Sequence, residues 1–256
     1  MIAASSLDSN ESTEVDLSVI LPAYNEGERI GKTLMRVRDY LTASGLSREV
    51  LVVVDGAEDC TAEVVRQQAR QFPELLLLER KTNRGKGFTV REGMLQARGR
   101  IRLFTDADNS TDIAHFESMK PLFASGFEVV IASRNSLDAG GAEQAVPQAW
   151  YKRAIGRAGN RLVQRLAVPG IWDTQCGFKA FKAEAAVRIF SQLTIDRWGF
   201  DIEVLALARA MNLPIGIIPA RWINDEHSHV RLTDYLRALV DTWKVRGNLK
   251  AGKYRL

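Results

Sequence analysis

Two stretches decide the fold: "LSVILPAY" (residues 17–24) and "EVLVVVD" (residues 49–55). Each is a run of aliphatic and β-branched residues without apolar/polar alternation, so both faces are greasy, as in strands buried inside a parallel sheet. Each run ends in turn-forming or acidic residues. Between them, starting from Arg29, the residues Ile30, Leu34, Val37 and Leu41 recur at spacings of three and four, the mark of an amphipathic helix. The alternation returns in "CTAEVVRQQARQF" (60–72), "ELLLLER" (74–80), "GKGFTVREGMLQARG" (85–99), "RIRLFTD" (100–106), "DIAHFESMKPLFASG" (112–126) and "FEVVIAS" (127–133). Four or five such β–α units predict an α/β fold, with a mostly parallel sheet flanked by helices on both faces. Ligands of such sheets sit at the carboxyl ends of the strands. Pro22-Ala23-Tyr24-Asn25-Glu26, Asp55, Asp106-Ala107-Asp108 and Ser133-Arg134 all fall there.

Beyond residue 135 the alternation stops. "NSLDAGGAEQAVPQ" (135–148) reads as a loop, followed by a helix over 150–167, the stretch "VPGIWDTQCGFKAF" (168–181) and a helix over 182–193. "RWGFDIEVLALARAMN" (197–212), a strand in "PIGIIPARW" (214–222) and a last helix over 232–246 complete the chain. The expected organisation is a disordered segment over 1–16, one domain over 17–225 and a basic amphipathic helix with its tail over 226–256.

With 256 residues, 46% hydrophobic and 26% charged, the chain can bury one sizeable core. Its longest apolar runs fall far short of the roughly 20 residues that cross a bilayer. The polar, acidic start lacks the features of a secretory signal, so a cytoplasmic location is expected. Cys60 and Cys176 lack metal-ligand spacing and read as free thiols. Residues 231–256 carry seven Lys/Arg against two Asp, whereas the first 16 residues carry four acids and no base. This asymmetry points to an anionic partner surface near the C-terminal end.

In "LFTDADNST" (103–111), Asp106 and Asp108 follow a buried strand directly. A divalent Mg²⁺ or Mn²⁺ ion takes oxygen ligands and is commonly held by one or two carboxylates plus substrate phosphates. In extended geometry, positions i and i+2 point to one side, so both acids can face one ion or one diphosphate. A helix-initiating turn is the alternative reading of the same residues.

Taken in order, "VILPAYNEGERIGKTL", "VVVDGAEDCT", "NRGKGFTVREGMLQARG", "FTDADNST" and "DTQCGFKAF…RWGFDIEVL" resemble the inverting family 2 glycosyltransferases. Within these the chain is most similar to the dolichyl-phosphate glucosyltransferase and polyprenyl-phosphate glycosyltransferase branch, over roughly residues 17 to 225. The resemblance implies a nucleotide-diphospho-sugar transferase (GT-A type) fold. It also implies a donor cradle from Pro22, Tyr24 and Glu26, and a uracil or ribose contact from Asp55. Lys86 would lie near the diphosphate, a metal on Asp106 and Asp108, and acceptor-phosphate contacts on Arg134 and Arg153. Asp108 and Arg134 are candidate catalytic residues on this resemblance. Asp173 is a third candidate that either caps a turn or orients the sugar or the nucleophile, and Asp201, one turn from core residues, either belongs to the core or faces the sugar pocket. The chain departs from the family in Val54-Asp55-Gly56-Ala57, where Asp-Asp-Gly-Ser is frequent, and in Cys60, where Gly is frequent.

The implied reaction moves a hexose, foremost glucose from UDP-glucose, onto a polyprenyl or dolichyl phosphate. A lipid phosphate with a second pKa near ~6 is already anionic at neutral pH and needs no general base. Mannosyl transfer from GDP-mannose, a sugar-phosphate nucleotidyltransferase and a non-catalytic membrane-binding module are the alternatives. The second of these would want a Gly-rich basic loop after the first strand, which "LPAYNEGERI" lacks. No nucleic-acid partner is expected, because aromatic residues are not interleaved with the basic ones; a homodimer stays open. His227 and His229 read as part of a polar loop. In the last helix Leu232, Tyr235, Leu236, Leu239, Val240 and Trp243 form an apolar stripe flanked by Arg231, Arg237, Lys244 and Arg246. Such a stripe either docks on the core or lies peripherally on an anionic membrane surface.

Overall fold

A computed structural model describes residues 15–144, 159–222 and 232–256. Strand β1 (Leu17–Ala23) leads through helix α1 (Ile30–Ser44) to β2 (Arg48–Asp55), and α2 (Thr61–Ala69) leads to β3 (Leu75–Arg80). Helix α3 (Lys86–Gln96), β4 (Ile101–Thr105), α4 (Phe116–Ala124) and β5 (Val129–Ser133) follow. After a two-residue strand β6 (Glu143–Gln144), residues 159–166 are helical (α5). The chain ends with β7 (Phe178–Lys182), α6 (Ala183–Phe190), α7 (Phe200–Ala210), β8 (Ile215–Pro219), β9 (Arg221–Trp222) and α8 (Leu232–Lys250).

Seven strands form one sheet in the order β3-β2-β1-β4-β7-β5-β8, and β6 pairs with β9 apart from it. Every pairing in the large sheet is parallel except those of β7, which runs antiparallel between β4 and β5. The runs lacking alternation bury both faces, as their composition demands. Val19 and Leu21 of β1 join one apolar layer with Val50, Val52 and Val54 of β2, while Ile20, Leu51 and Val53 join the other. Phe104, Phe181, Phe190 and Phe200 fill the second layer, and Phe116 and Phe178 the first.

The strand order reverses at β1: the chain moves outward through β2 and β3, then returns to place β4 on the other side. A crevice at the carboxyl ends of such neighbours is where open α/β sheets bind ligands. The loops after β1 and β4 flank it here.

Within the stretch to which the sequence assigned no element, Phe178–Lys182 forms a central strand, and the helix that follows it runs over Ala183–Phe190. The fully buried positions of α8 are Ala238, Thr242, Val245 and Asn248; of the described side chains of the apolar stripe, Val240 and Trp243 are exposed, while Leu239 is half-buried and packs against the core. No helix among the described residues is long and apolar enough to cross a membrane.

Candidate active site

The β1 loop turns at Asn25, whose φ of 54° lies in the left-handed region that Asn tolerates. The loop is tied to the next crossover: Glu26 N–H donates to Thr61 Oγ1 at 2.8 Å and Gly27 N–H to Asp59 Oδ2 at 2.9 Å. Tyr24 stands exposed beside the crevice, and Pro22, one residue before the end of the strand, is half-buried. Glu26 turns inward, paired with Arg29 at 2.7 Å. Burial raises the Glu26 carboxyl to about 7; Arg29 opposes this, and the negative charges of Asp108 and Asp106 add to it. Glu26 therefore belongs to the acid cluster of the crevice as well as to the loop that carries Tyr24.

The strand ends at Thr105, and Asp106–Asn109 form a turn rather than continuing in extended geometry. Asn109 takes a φ of 54°, and Ser110 N–H donates to Asp108 Oδ1 at 2.9 Å. Turn and acid pair, the two alternative readings of these residues, coexist. Ala107 is buried between the acids, its carbonyl accepting Thr33 Oγ1 of α1 at 2.6 Å, which fixes the turn to the helix behind it. Burial and the neighbouring Asp106 raise the Asp108 carboxyl above the ordinary aspartate value.

Lys86, the first residue of α3, reaches into this cluster, its Nζ 2.6 Å from Asp106 Oδ1. Burial works against its charge, but Asp106, Asp201 and Asp108 outweigh that and hold its pKa above the usual lysine value. The Trp198 ring lies 5.1 Å from the same ammonium. Asp55 explains how Lys86 is presented. It is buried at the end of β2, and its oxygens accept Arg84 N–H at 2.8 Å, Gly85 N–H at 2.7 Å and Arg80 Nη2 at 2.6 Å. The carboxylate read from the sequence as a nucleoside contact is thus engaged as the anchor of the Lys86 loop. Gly85, with φ 104° and a carbonyl of the 196 loop against it, could not carry a side chain.

On the other side of β4, the antiparallel course of β7 brings its preceding loop to the same edge of the sheet. Thr105 pairs with Phe178, so Gly177 abuts Asp106, whose N–H donates to the Gly177 carbonyl at 3.1 Å. A Cβ on Gly177 would sit 2.0 Å from Asp106 Oδ2. Sequence reasoning assigns Gly177 no role, and only strand register exposes its importance. The same loop delivers Asp173, whose oxygens accept Arg134 Nε and N–H at 2.8 Å and Nη2 at 2.9 Å. Burial alone would raise the Asp173 carboxyl; Arg134 overcomes it and holds the pKa below the ordinary value. Asp138 supports the pair by accepting Trp172 N–H and Asp173 N–H at 2.7 and 2.8 Å. Beneath them Lys179 is fully buried, paired with Asp201 and donating to Cys176 O at 2.6 Å. The two halves of the site feel one another, since Asp106 acts on Arg134 and Asp201 on Lys86.

The structure therefore gathers Glu26, Lys86, Asp106, Asp108, Arg134, Asp173 and Asp201 along one edge. Arg153, His227 and His229 lie outside the described residues. Among the described residues no group of three or more His, Cys, Asp or Glu side chains is arranged as a metal centre. Two carboxylates, Asp106 and Asp108, nonetheless fit a hard divalent ion that takes its remaining ligands from phosphate oxygens and water.

A mostly parallel sheet with an acid-lined crevice at its switch point and a fixed cation beside it matches the GT-A type of fold. The Glycosyl transferase family 2 profile matches residues 18–190. A dolichyl-phosphate beta-glucosyltransferase of Dictyostelium discoideum is 35% identical over 224 residues, covering 83% of this chain and 68% of the relative. The protein of that description from Homo sapiens is 32% identical, with 96% and 79% covered. The fold is shared with glucosyl-3-phosphoglycerate synthase from Mycobacterium tuberculosis, solved with Mn²⁺, UDP and phosphoglyceric acid. That match has a TM-score of 0.65 at 19% identity, covering 91% of this chain and 78% of the other. The chain belongs to glycosyl transferase family 2 and is a glycosyltransferase.

Proposed function

We propose that the protein transfers glucose from UDP-glucose to dolichyl phosphate or a similar polyprenyl phosphate, at the surface of a membrane, with a divalent metal ion. The observation that carries this reading is the meeting of an acid cluster and a bound arginine on one sheet edge, in a chain about one-third identical to dolichyl-phosphate glucosyltransferases over most of its length. A Mg²⁺ or Mn²⁺ ion held by Asp106 and Asp108 would neutralise the charge developing on the departing nucleoside diphosphate. Lys86 adds a fixed positive charge at the same place, close to where that diphosphate leaves. Tyr24 offers a ring face to the base, and Pro22 shapes the floor of the cradle.

Arg134 presents its guanidinium to the acceptor phosphate while Asp173 holds Nε and Nη2, so the fork is aimed before the acceptor arrives. Arg153 is the second phosphate contact in this reading. The acceptor is already an anion and attacks the anomeric carbon without surrendering a proton, so no side chain need act as base. Positioning and electrostatics supply the catalysis, and the anomeric centre inverts.

The test offers purified protein UDP-[³H]glucose or GDP-[³H]mannose with dolichyl phosphate and Mn²⁺. Lipid-extractable label is expected from UDP-glucose, lost on chelation and in Asp108→Asn, with the melting temperature retained. Label from GDP-mannose alone, or full transfer under chelation, overturns the donor and the metal assignment respectively.

A further inference from the structure

Helix α8 carries an outward face that its packing does not explain. Its inner side is occupied: Ala238, Thr242, Val245 and Asn248 are buried, and Thr242 Oγ1 bonds back to Ala238 O at 2.7 Å. On the opposite side Val240 is 69% and Trp243 57% exposed, one turn apart. Isolated apolar residues at a surface are ordinary. These two, however, sit in a strongly basic setting: residues 237–256 contain six Lys/Arg, at 237, 244, 246, 250, 253 and 255, against the single acid Asp241. Arg237, Lys244, Lys250, Lys253 and Arg255 are exposed. A Trp and an aliphatic neighbour among lysines and arginines match an interfacial helix, with the ring at headgroup depth and the cations over anionic lipid.

The face is also wired to the acceptor half of the site. Arg246 Nη1 donates to Leu166 O at 3.1 Å, and Leu239 lies against Gly159, so α8 holds α5 at both ends of its described part. Asn160 of α5 donates to Trp172 O, and Trp172 N–H shares Asp138 with Asp173, the partner of Arg134. On the other flank Arg237 and Lys244 line, with Arg197, Asp196 and Trp198, a cavity of about 330 Å³, and Trp198 covers the Lys86 ammonium.

We propose that the outer face of α8, centred on Val240 and Trp243 and rimmed by Arg237, Lys244 and Lys250, docks on an anionic lipid bilayer. The helix lies in the interface without crossing it and holds the Arg134–Asp173 fork beside the membrane. This deepens the polyprenyl-phosphate reading by naming the surface through which the enzyme meets its lipid, and it rests on that reading only for the benefit of docking.

The full chain is sedimented with vesicles of phosphatidylcholine alone or of phosphatidylcholine and phosphatidylserine in a two-to-one ratio, and transfer is assayed in parallel. The acceptor is either dolichyl phosphate in those vesicles or a short, water-soluble polyprenyl phosphate. Wild-type protein is expected to bind the anionic vesicles and to release with salt. Lys244→Gln is expected to bind about fivefold more weakly, the effect of one charge of about 1 kcal/mol, and Val240→Asp with Trp243→Asp at least tenfold more weakly. In the double variant, transfer to vesicle-borne dolichyl phosphate falls while transfer to the short acceptor is unchanged.

Undiminished vesicle binding by a folded double variant overturns the proposal. So does a concentration-dependent dimer that the double variant abolishes, which would assign the face to a second copy of the chain. Should neither acceptor be glucosylated by wild-type protein while vesicle binding still depends on Trp243, the functional reading fails and the docking surface stands.

Discussion

Replacing Gly177 by Ala isolates the position of one carboxylate. The new methyl carbon would lie 2.0 Å from Oδ2, 2.3 Å from Cγ and 2.5 Å from Oδ1 of Asp106. Ordinary contact begins near 3.4 Å, so the carboxylate must retreat by about 1.4 Å, abandoning both its placement beside Asp108 and its 2.6 Å contact with Lys86. A misplacement of about 1 Å at a reacting centre costs on the order of a hundredfold in rate. The clash falls on a side chain that can rotate away, so the stability loss belongs to the lower part of the roughly 1–3 kcal/mol range for overpacking. At about 2–4 °C per kcal/mol this shifts the melting temperature by only a few degrees. Transfer of label from UDP-[³H]glucose to dolichyl phosphate should therefore drop about a hundredfold or more in a protein that still melts cooperatively. Gly247→Ala is the control: nothing lies within 4 Å of the added carbon. In a helix interior it should stabilise by roughly 0.5–1 kcal/mol and leave transfer to the short soluble acceptor unchanged. A folded Gly177→Ala protein with transfer within about threefold of wild type would refute the role of Asp106, and with it the acid-cleft mechanism.

Arg134→Ala strands a buried Asp173 and should cost about 3–5 kcal/mol in urea unfolding at neutral pH. Because Arg134 holds the Asp173 pKa below its unfolded value, this contribution is present above the usual aspartate range and disappears as pH falls through the folded value. Wild type and variant stabilities should accordingly converge in acid, and a gap independent of pH would contradict the pairing. For Glu26 the sign is opposite. Its folded pKa of about 7 exceeds the ordinary 4.5, so the folded state binds the extra proton and stability falls as pH rises between those values. In metal-free buffer Glu26→Gln should flatten that slope and be the more stable form above pH 7, by at most about 3 kcal/mol; an unchanged slope sinks the assignment. Tyr254→Phe removes the hydroxyl that donates to buried Glu203 at 2.7 Å and should cost about 1 kcal/mol by chemical denaturation. No loss would mean that the C-terminal tail is not latched to the Thr194–Ile195 turn that Glu203 also holds.

The strand–helix alternation through β5 is legible because each strand is an apolar run and each helix has a periodic stripe; neither signal needs tertiary information. β7 escapes that reading because Lys179 and Lys182 interrupt its short apolar run. The Lys179 charge is tolerable in the core only because Asp201 and the Cys176 carbonyl meet it there, contacts invisible along the chain. The acids at strand ends are legible as a set, but their roles are not. Asp55 anchors the Lys86 loop through backbone N–H groups nearly thirty residues away, and Asp173 meets Arg134 across 39 residues. In α8 the stripe says little about burial, because the fully buried positions are Ala238, Thr242, Val245 and Asn248 while Val240 and Trp243 of the stripe are exposed. Thr242 satisfies its hydroxyl within the helix, and Asn248 bonds the Tyr254 hydroxyl at 3.3 Å. Hydrophobic periodicity registers apolar faces, not buried ones.

What unites the site is the direction of one strand. Parallel strands send their carboxyl ends to the ligand edge, and β1, β2, β4 and β5 place Glu26, Asp55, Asp106 and Arg134 there without further help. Such an arrangement alone would leave Arg134 without a carboxylate to orient it and Asp106 without a wall. Because β7 enters between β4 and β5 from that same edge, its leading loop supplies both: Asp173 clamps Arg134, and Gly177 leaves room for the Asp106 carboxylate where any other residue would displace it. The burial that makes Lys179 look out of place in a strand follows from this insertion. A central strand must be covered on both faces, and Asp201 at the start of α7 neutralises the charge while sharing its field with Lys86. Acidic and basic groups thus reach one crevice because a single antiparallel strand carries the Asp173–Gly177 loop into an otherwise parallel sheet.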